Sequence, residues 1–274
     1  MKKLLIRSLT GILYATVLIG ALFVSRFTFF ALFAIVLAFT LWEFYRLCYL
    51  NGYEPQVYSG ITFGLLFYAG MFLLQYNLFT FQEIFPFGLL VLLIPFAELT
   101  RKKKEPIENM ALTFAGIMLT AIPFSFFNLI PNPLNNESGA YNPWLMIGVF
   151  VIIWTNDTGA YLIGSMIGKN KLAEKISPNK TWEGAIGGAV FAILFAILYF
   201  HFTNLFTPSE TVFISLATVI AGTMGDLTES MIKRNFNVKD SGNMLPGHGG
   251  LLDRFDSLLF AAPVYYVMII SFLK

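Results

Sequence analysis

Apolar residues run along this chain in long blocks, with polar residues gathered in short stretches between them. Blocks of roughly 18 to 25 residues, near the length a helix needs to cross a bilayer, fall at 5–24, 27–47, 58–76, 82–99, 109–130, 143–166, 184–203, 211–232 and 257–273. The pattern predicts an all-α integral membrane protein of about nine transmembrane helices. The fourth block, "EIFPFGLLVLLIPFAEL", is the shortest and carries two prolines. Little chain remains between blocks, so residues 1–274 read as one polytopic domain. Its N-terminal spans occupy 1–140 and its chemistry lies in a C-terminal half, 141–274.

Composition agrees and narrows the class. With 57% hydrophobic and only 12% charged residues, the chain is outside the soluble globular range. A net charge of +2 gives no reason to expect nucleic acid as a partner. The single cysteine, Cys48, rules out an intramolecular disulfide and a thiolate zinc site. The basic start followed by an apolar run, "MKKLLIRSLTGILYATVLIGALFV", reads as a retained first helix, because no small-x-small cleavage site follows it.

The placement of charge says more than its sum. Lys2, Lys3, Arg7, Arg46, Arg101 to Lys104, Lys169, Lys171, Lys175, Lys180, Lys233, Arg234, Lys239 and Arg254 all fall on one side of a nine-span chain, leaving Arg26 and Lys274 on the other. Cytoplasmic loops collect Lys and Arg. The expectation is therefore a cytoplasmic N-terminus, a C-terminus outside, and a multi-pass protein of the cell (inner or plasma) membrane. "RKKK" at 101–104 is read as holding its loop in the cytoplasm.

Three polar clusters break the apolar pattern, all on the expected cytoplasmic side. In "WTNDTGAYLIGSMIG" Asp157 lies inside the sixth span, where a carboxylate needs a partner or a polar cavity. Gly164 and Gly168 form a small-xxx-small pair suited to close helix approach. In "KNKLAEKISPNKTWEG", Ser177 to Thr181 reads as a turn into the seventh span, with Ser177 or Asn179 as its cap. Lys180 and Thr181 add phosphate donors at that helix start. In the third cluster Thr223, Asp226, Ser230, Lys233 and Arg234 share one helix face that begins inside a span, with Glu229 nearby. Asp253 and Asp256, three apart at the start of the ninth span, are expected to point the same way, with Arg254 elsewhere. "PGHGG" at 246–250 offers glycine amides to a phosphate, and His248 a donor or proton shuttle.

Converging carboxylates need positive charge among them, and oxygen-only ligands suit a hard cation such as Mg²⁺ with substrate phosphate completing its shell. Surrounding lysines and arginines then point to a polyphosphate substrate.

The segment "SMIKRNFNVKDSGNMLPGHGGLLDRFD", 230–256, resembles the signature of the phosphatidate cytidylyltransferases (CDP-diacylglycerol synthases). "SPNKTWEG" and "NDTGAY" resemble the same family, so the likeness covers at least the second half. The resemblance implies that CTP and phosphatidic acid give CDP-diacylglycerol and pyrophosphate at the cytoplasmic face of a bilayer, for phospholipid synthesis. It also implies one or two divalent ions, Mg²⁺ foremost, with a monovalent cation as a further option. It assigns Asp226, Asp253 and Asp256 to metal and catalysis, with Lys233 catalytic. Lys180, Lys233, Arg234 and Lys239 fall to phosphates, Ser177 and Thr181 to the nucleotide side, and Ser230, His248 and Asp157 to substrate. Rival readings are a CTP-dependent polyprenol or phytol kinase and an ion-coupled transporter. The glycine-rich spans permit a homodimer.

Overall fold

The structure is a computed structural model that describes residues 2–134, 141–244 and 249–273, with side chains from Thr10 onward. α1 spans Lys2–Val24, α2 Arg26–Leu50 and α3 Val57–Gln75. α4 (Phe81–Gly88) and α5 (Leu93–Arg101) join through a 3-10 turn, and α6 (Pro106–Gly116) and α7 (Ile122–Leu129) through a π turn at Ile117–Ala121. α8 covers Pro143–Ile167, and two short strands follow, β1 (Lys171–Ala173) and β2 (Ser177–Thr181). α9 (Trp182–Thr203), α10 (Pro208–Asn235) and α11 (Leu252–Phe272) complete the chain.

The apolar blocks became helices with starts where the local chemistry supplies caps. Ser25 and Thr28 form a reciprocal capping box ahead of α2, and Thr207 and Glu210 form another ahead of α10. Asn142 caps α8, with Pro143 in the first helical position, where its missing N–H costs nothing. The prolines of the fourth block flank the 3-10 turn that joins α4 to α5. Among the described residues eight helices are long and apolar enough to cross a membrane, α4–α5 and α6–α7 each counting as one, and Thr10–Val24 of α1 is a shorter apolar stretch. The architecture is that of an all-helical integral membrane protein, apart from the one antiparallel hairpin.

The chain forms two units. The first is Met1–Tyr141 with Asp240–Arg254; the second is Asn142–Lys239 with Phe255–Lys274. The boundary at Tyr141/Asn142 lies beside the expected division at 140/141, and Asp240–Arg254, the middle of the signature, falls with the first unit.

In the first unit Tyr45 of α2 is fully buried and donates through Oη to the Thr113 carbonyl at 2.8 Å. Gly60 on α3 and Gly116 on α6 lie where any Cβ would strike its ring, so the small residues let these helices close around the tyrosine. In the second unit α8 and α9 pack along a run of glycines. A Cβ on Gly159 would meet Phe191 at 2.6 Å and the Gly188 backbone at 3.2 Å, and one on Gly184 would meet the Ala160 carbonyl at 2.9 Å.

Candidate active site

The close α8–α9 contact leads directly to a polar cavity of about 520 Å³ in the second unit. α8 contributes Asn156, Asp157, Tyr161 and Ser165, the hairpin Asn179, Lys180 and Thr181, and α10 Thr223 and Asp226. Ser257 of α11 completes the polar lining.

The segment at 177–181 is a strand, not the expected turn. It pairs antiparallel with Lys171–Ala173, and Lys171 lies opposite Thr181. The α9 cap is Thr181, not Ser177 or Asn179: its Oγ1 accepts from the Gly184 amide at 3.2 Å. Glu183, in the first turn of α9, reaches back to accept from the Lys169 and Asn170 amides and from Asn170 Nδ2 at 2.6 Å. A carboxylate beside a helix N-terminus is favoured there, and this one anchors the base of the hairpin that carries Lys180.

Lys180 Nζ forms an ion pair with Asp226 Oδ2, and Ser230 Oγ lies 3.3 Å from Asp226 Oδ1. Asn156 Nδ2 donates to Asp157 Oδ1 at 3.3 Å. Asp256, half-buried on α11, feels the negative charge of Asp226 and Asp157 and the positive charge of Lys233. The structure thus gathers Asp157, Lys180, Asp226, Lys233 and Asp256 into one electrostatic neighbourhood. Lys233 pairs one turn back with Glu229 on its own helix. Arg234 donates from Nε to the Ile176 carbonyl and from Nη1 to the Val238 carbonyl, both at 3.3 Å, tying the hairpin to the end of α10. Ser177 is half-buried on β2, and Lys239 is exposed.

Asp253 departs from expectation. It does not share the environment of Asp256; it lies in the first unit, buried, with its carboxylate taken up by backbone. Ser241 donates from N at 2.9 Å and from Oγ at 3.0 Å, and the Gly250 amide donates at 2.8 Å. Part of the reason is local, since a carboxylate in the first turn of α11 can reach back to the Gly250 amide just before the helix, and the rest is the approach of Ser241 from twelve residues away. His248 lies outside the described residues.

These features coincide with comparisons of the whole sequence. A sequence model described as the cytidylyltransferase family matches residues 5–272. The chain belongs to the cytidylyltransferase family. It is 36% identical over 274 residues to a Bacillus subtilis protein named phosphatidate cytidylyltransferase, covering 97% of each chain. Proteins of the same name from Haemophilus influenzae and Staphylococcus aureus (strain COL) are 42% identical over 161 residues and 46% identical over 172. Those alignments span 54% and 62% of this chain, and 56% and 63% of the two relatives.

For a cytidylyltransferase the donor set is informative. Asp226 and Asp256 offer only oxygen, which suits a hard divalent ion and not a thiophilic one. Among the described residues no three His, Cys, Asp or Glu side chains stand together as a metal cage. A Mg²⁺ ion fits such a site when substrate phosphates and water supply most of its ligands, which is its usual habit.

The sequence reading missed Glu43. It is the one acidic residue of α2 and is 1% exposed, yet it bonds to Ser241 and Leu252 of the signature. A lone carboxylate inside an apolar block was the available signal. Asn156 and Tyr161 of the cavity lie in the "NDTGAY" stretch but were given no role, and Ser257, just past the signature, was missed as well.

Proposed function

We infer that this chain is a membrane-embedded nucleotidyltransferase that moves the cytidylyl group of CTP onto phosphatidic acid, yielding CDP-diacylglycerol and pyrophosphate. The observation that carries this reading is the Lys180–Asp226 pair in a polar cavity walled by helices that are otherwise apolar. A lipid phosphate and a water-soluble triphosphate need such a place, one edge in the bilayer and the other wet.

In the reaction a phosphate oxygen of phosphatidic acid attacks the α-phosphorus of CTP. A new P–O bond forms, the bond to the β-phosphate breaks, and its electron pair leaves with pyrophosphate. A phosphate monoester is mostly ionised near neutrality, its second pKa being about 6, so the chain needs no strong base. Its task is to bring two anions together. Lys180, offered from a clamped hairpin, meets the phosphates, and Arg234 and Lys239 are proposed as further phosphate donors. Lys233 balances Glu229 and lowers the local negative charge. Thr181 and Ser177 face the nucleotide, and Asn156 steadies Asp157 at the cavity wall. Asp226 and Asp256 would hold Mg²⁺, which when bound neutralises charge on the phosphate oxygens. Asp253 serves by ordering the signature segment. The excess of basic residues beside these helices supports a cytoplasmic-facing site, the side from which CTP would arrive.

The test uses purified protein in detergent micelles with phosphatidic acid, Mg²⁺ and α-labelled CTP. Label entering the organic phase together with released pyrophosphate supports the reading. Released CDP with a phosphorylated prenol would move the protein to the lipid kinases instead, and no nucleotide chemistry at all would leave the transporter.

A further inference from the structure

We propose that Glu43 is a positioning residue for the reaction, fixing Ser241, Gly242, Gly250 and Leu252 of the signature from α2. The proposal rests on the cytidylyltransferase reading of that segment. Glu43 accepts a hydrogen bond from the Leu252 amide at 2.9 Å, and its carboxylate lies 3.2 Å from Ser241 Oγ, whose single proton it shares with Asp253. Leu252 is the first residue of α11, so its amide is one of the donors that a helix start leaves without an intrahelical partner. A carboxylate in that position is favoured by the helix dipole, which offsets part of the cost of burying it.

The glycines of the segment give a second, independent observation. A Cβ on Gly242 would collide with Glu43 Oε1 and lie 3.0 Å from its Cδ, and its nearest contacts are all atoms of Glu43. A Cβ on Gly250 would stand 2.5 and 2.8 Å from the two Glu43 oxygens, besides striking Ser241 Oγ. Neither glycine has the positive φ seen at Gly249. Backbone conformation therefore does not demand them; room for the Glu43 side chain does. Asp253 holds Ser241 and Gly250 from the α11 side, so two carboxylates from distant parts of the sequence meet at these residues.

The test compares full-length wild type, E43A, E43Q, G242A and E43A/G242A in the CTP and phosphatidic acid assay, with kcat, KM for CTP and thermal unfolding measured for each. E43A is expected to lower kcat by about 10²-fold, the scale of a misplaced reacting group, with KM for CTP little changed. E43Q keeps an acceptor for the Leu252 amide and should recover most of kcat. G242A should depress kcat in the wild-type background and add nothing to E43A, the non-additivity expected of groups in contact. Wild-type kcat in E43A, or an equal cost of G242A in both backgrounds, would overturn the proposal. Should E43A fail to fold, G242A and E43Q decide, and wild-type kcat in G242A overturns it. An inactive wild type would instead overturn the cytidylyltransferase reading beneath it.

Discussion

Gly188→Ala tests whether close α8–α9 contact sets the shape of the cavity. A Cβ at this position would stand 2.6 Å from the Asn156 carbonyl oxygen, 2.8 Å from Asn156 Oδ1 and 3.0 Å from the Ala160 Cβ. A comfortable carbon–oxygen contact is about 3.3 Å, so the shortfall against the carbonyl is roughly 0.7 Å. That oxygen belongs to the backbone and cannot swing aside as a flexible side chain would. The helices must therefore part at this turn. Alanine favours the helix by about 1 kcal/mol over glycine, which offsets only part of an overpacking cost of about 1–3 kcal/mol. The turn that moves, Asn156 to Ala160, carries Asp157 on the cavity wall. A displacement of this size approaches the 1 Å that costs about 10²-fold in rate, so kcat should fall roughly tenfold with a modest loss of thermal stability. The assay is initial-rate formation of CDP-diacylglycerol, with an unfolding curve in the same micelles. Gly20→Ala, whose Cβ meets nothing within 4 Å, is the control. Wild-type kcat and unfolding temperature in Gly188→Ala would refute the packing argument.

Other outcomes follow from the same geometry. Asp226→Asn should leave membrane insertion intact but lower turnover by about 10²-fold or more, on the scale of losing one preorganised charge in an active site; normal turnover would remove Asp226 from the chemistry. Thr181→Ala, by deleting the bond to the Gly184 amide, should cost about 1 kcal/mol of stability, seen as a lower unfolding temperature. Chelating divalent ions should abolish activity, and Mg²⁺ should restore it; full activity in excess chelator would exclude the ion assigned to Asp226 and Asp256. Lys102→Ala, in the loop read as topological, should leave kcat unchanged.

Most of the helical layout was legible in the sequence. The nine apolar blocks coincide with helical stretches, and the caps at Ser25, Asn142 and Thr207 are local signals of two to four residues. Asp157 and Asp226 stood out because charged side chains inside apolar blocks need a reason, and Lys180 and Lys233 as charges in the polar stretches beside them. The strand at 177–181 was misread as a turn, since paired strands of three and five residues leave too short a pattern to recognise. The roles of Arg234 and Lys233 were legible only as charge; that one binds carbonyls and the other Glu229 needed coordinates.

Hydropathy and capping act between near neighbours along the chain, so the sequence alone determined the helices and their membrane character. The partners of each carboxylate depend on which backbone amides arrive from far away, and only the tertiary structure decided that. Glu43 and Ser241 are 198 residues apart, and nothing near either one announces the other. Asp253 and Asp256 are three apart and looked alike, yet one is bound by the Ser241 and Gly250 amides and the other stands among the charges of Asp226, Asp157 and Lys233. Buried charge is settled by its surroundings in space, and sequence order does not record them.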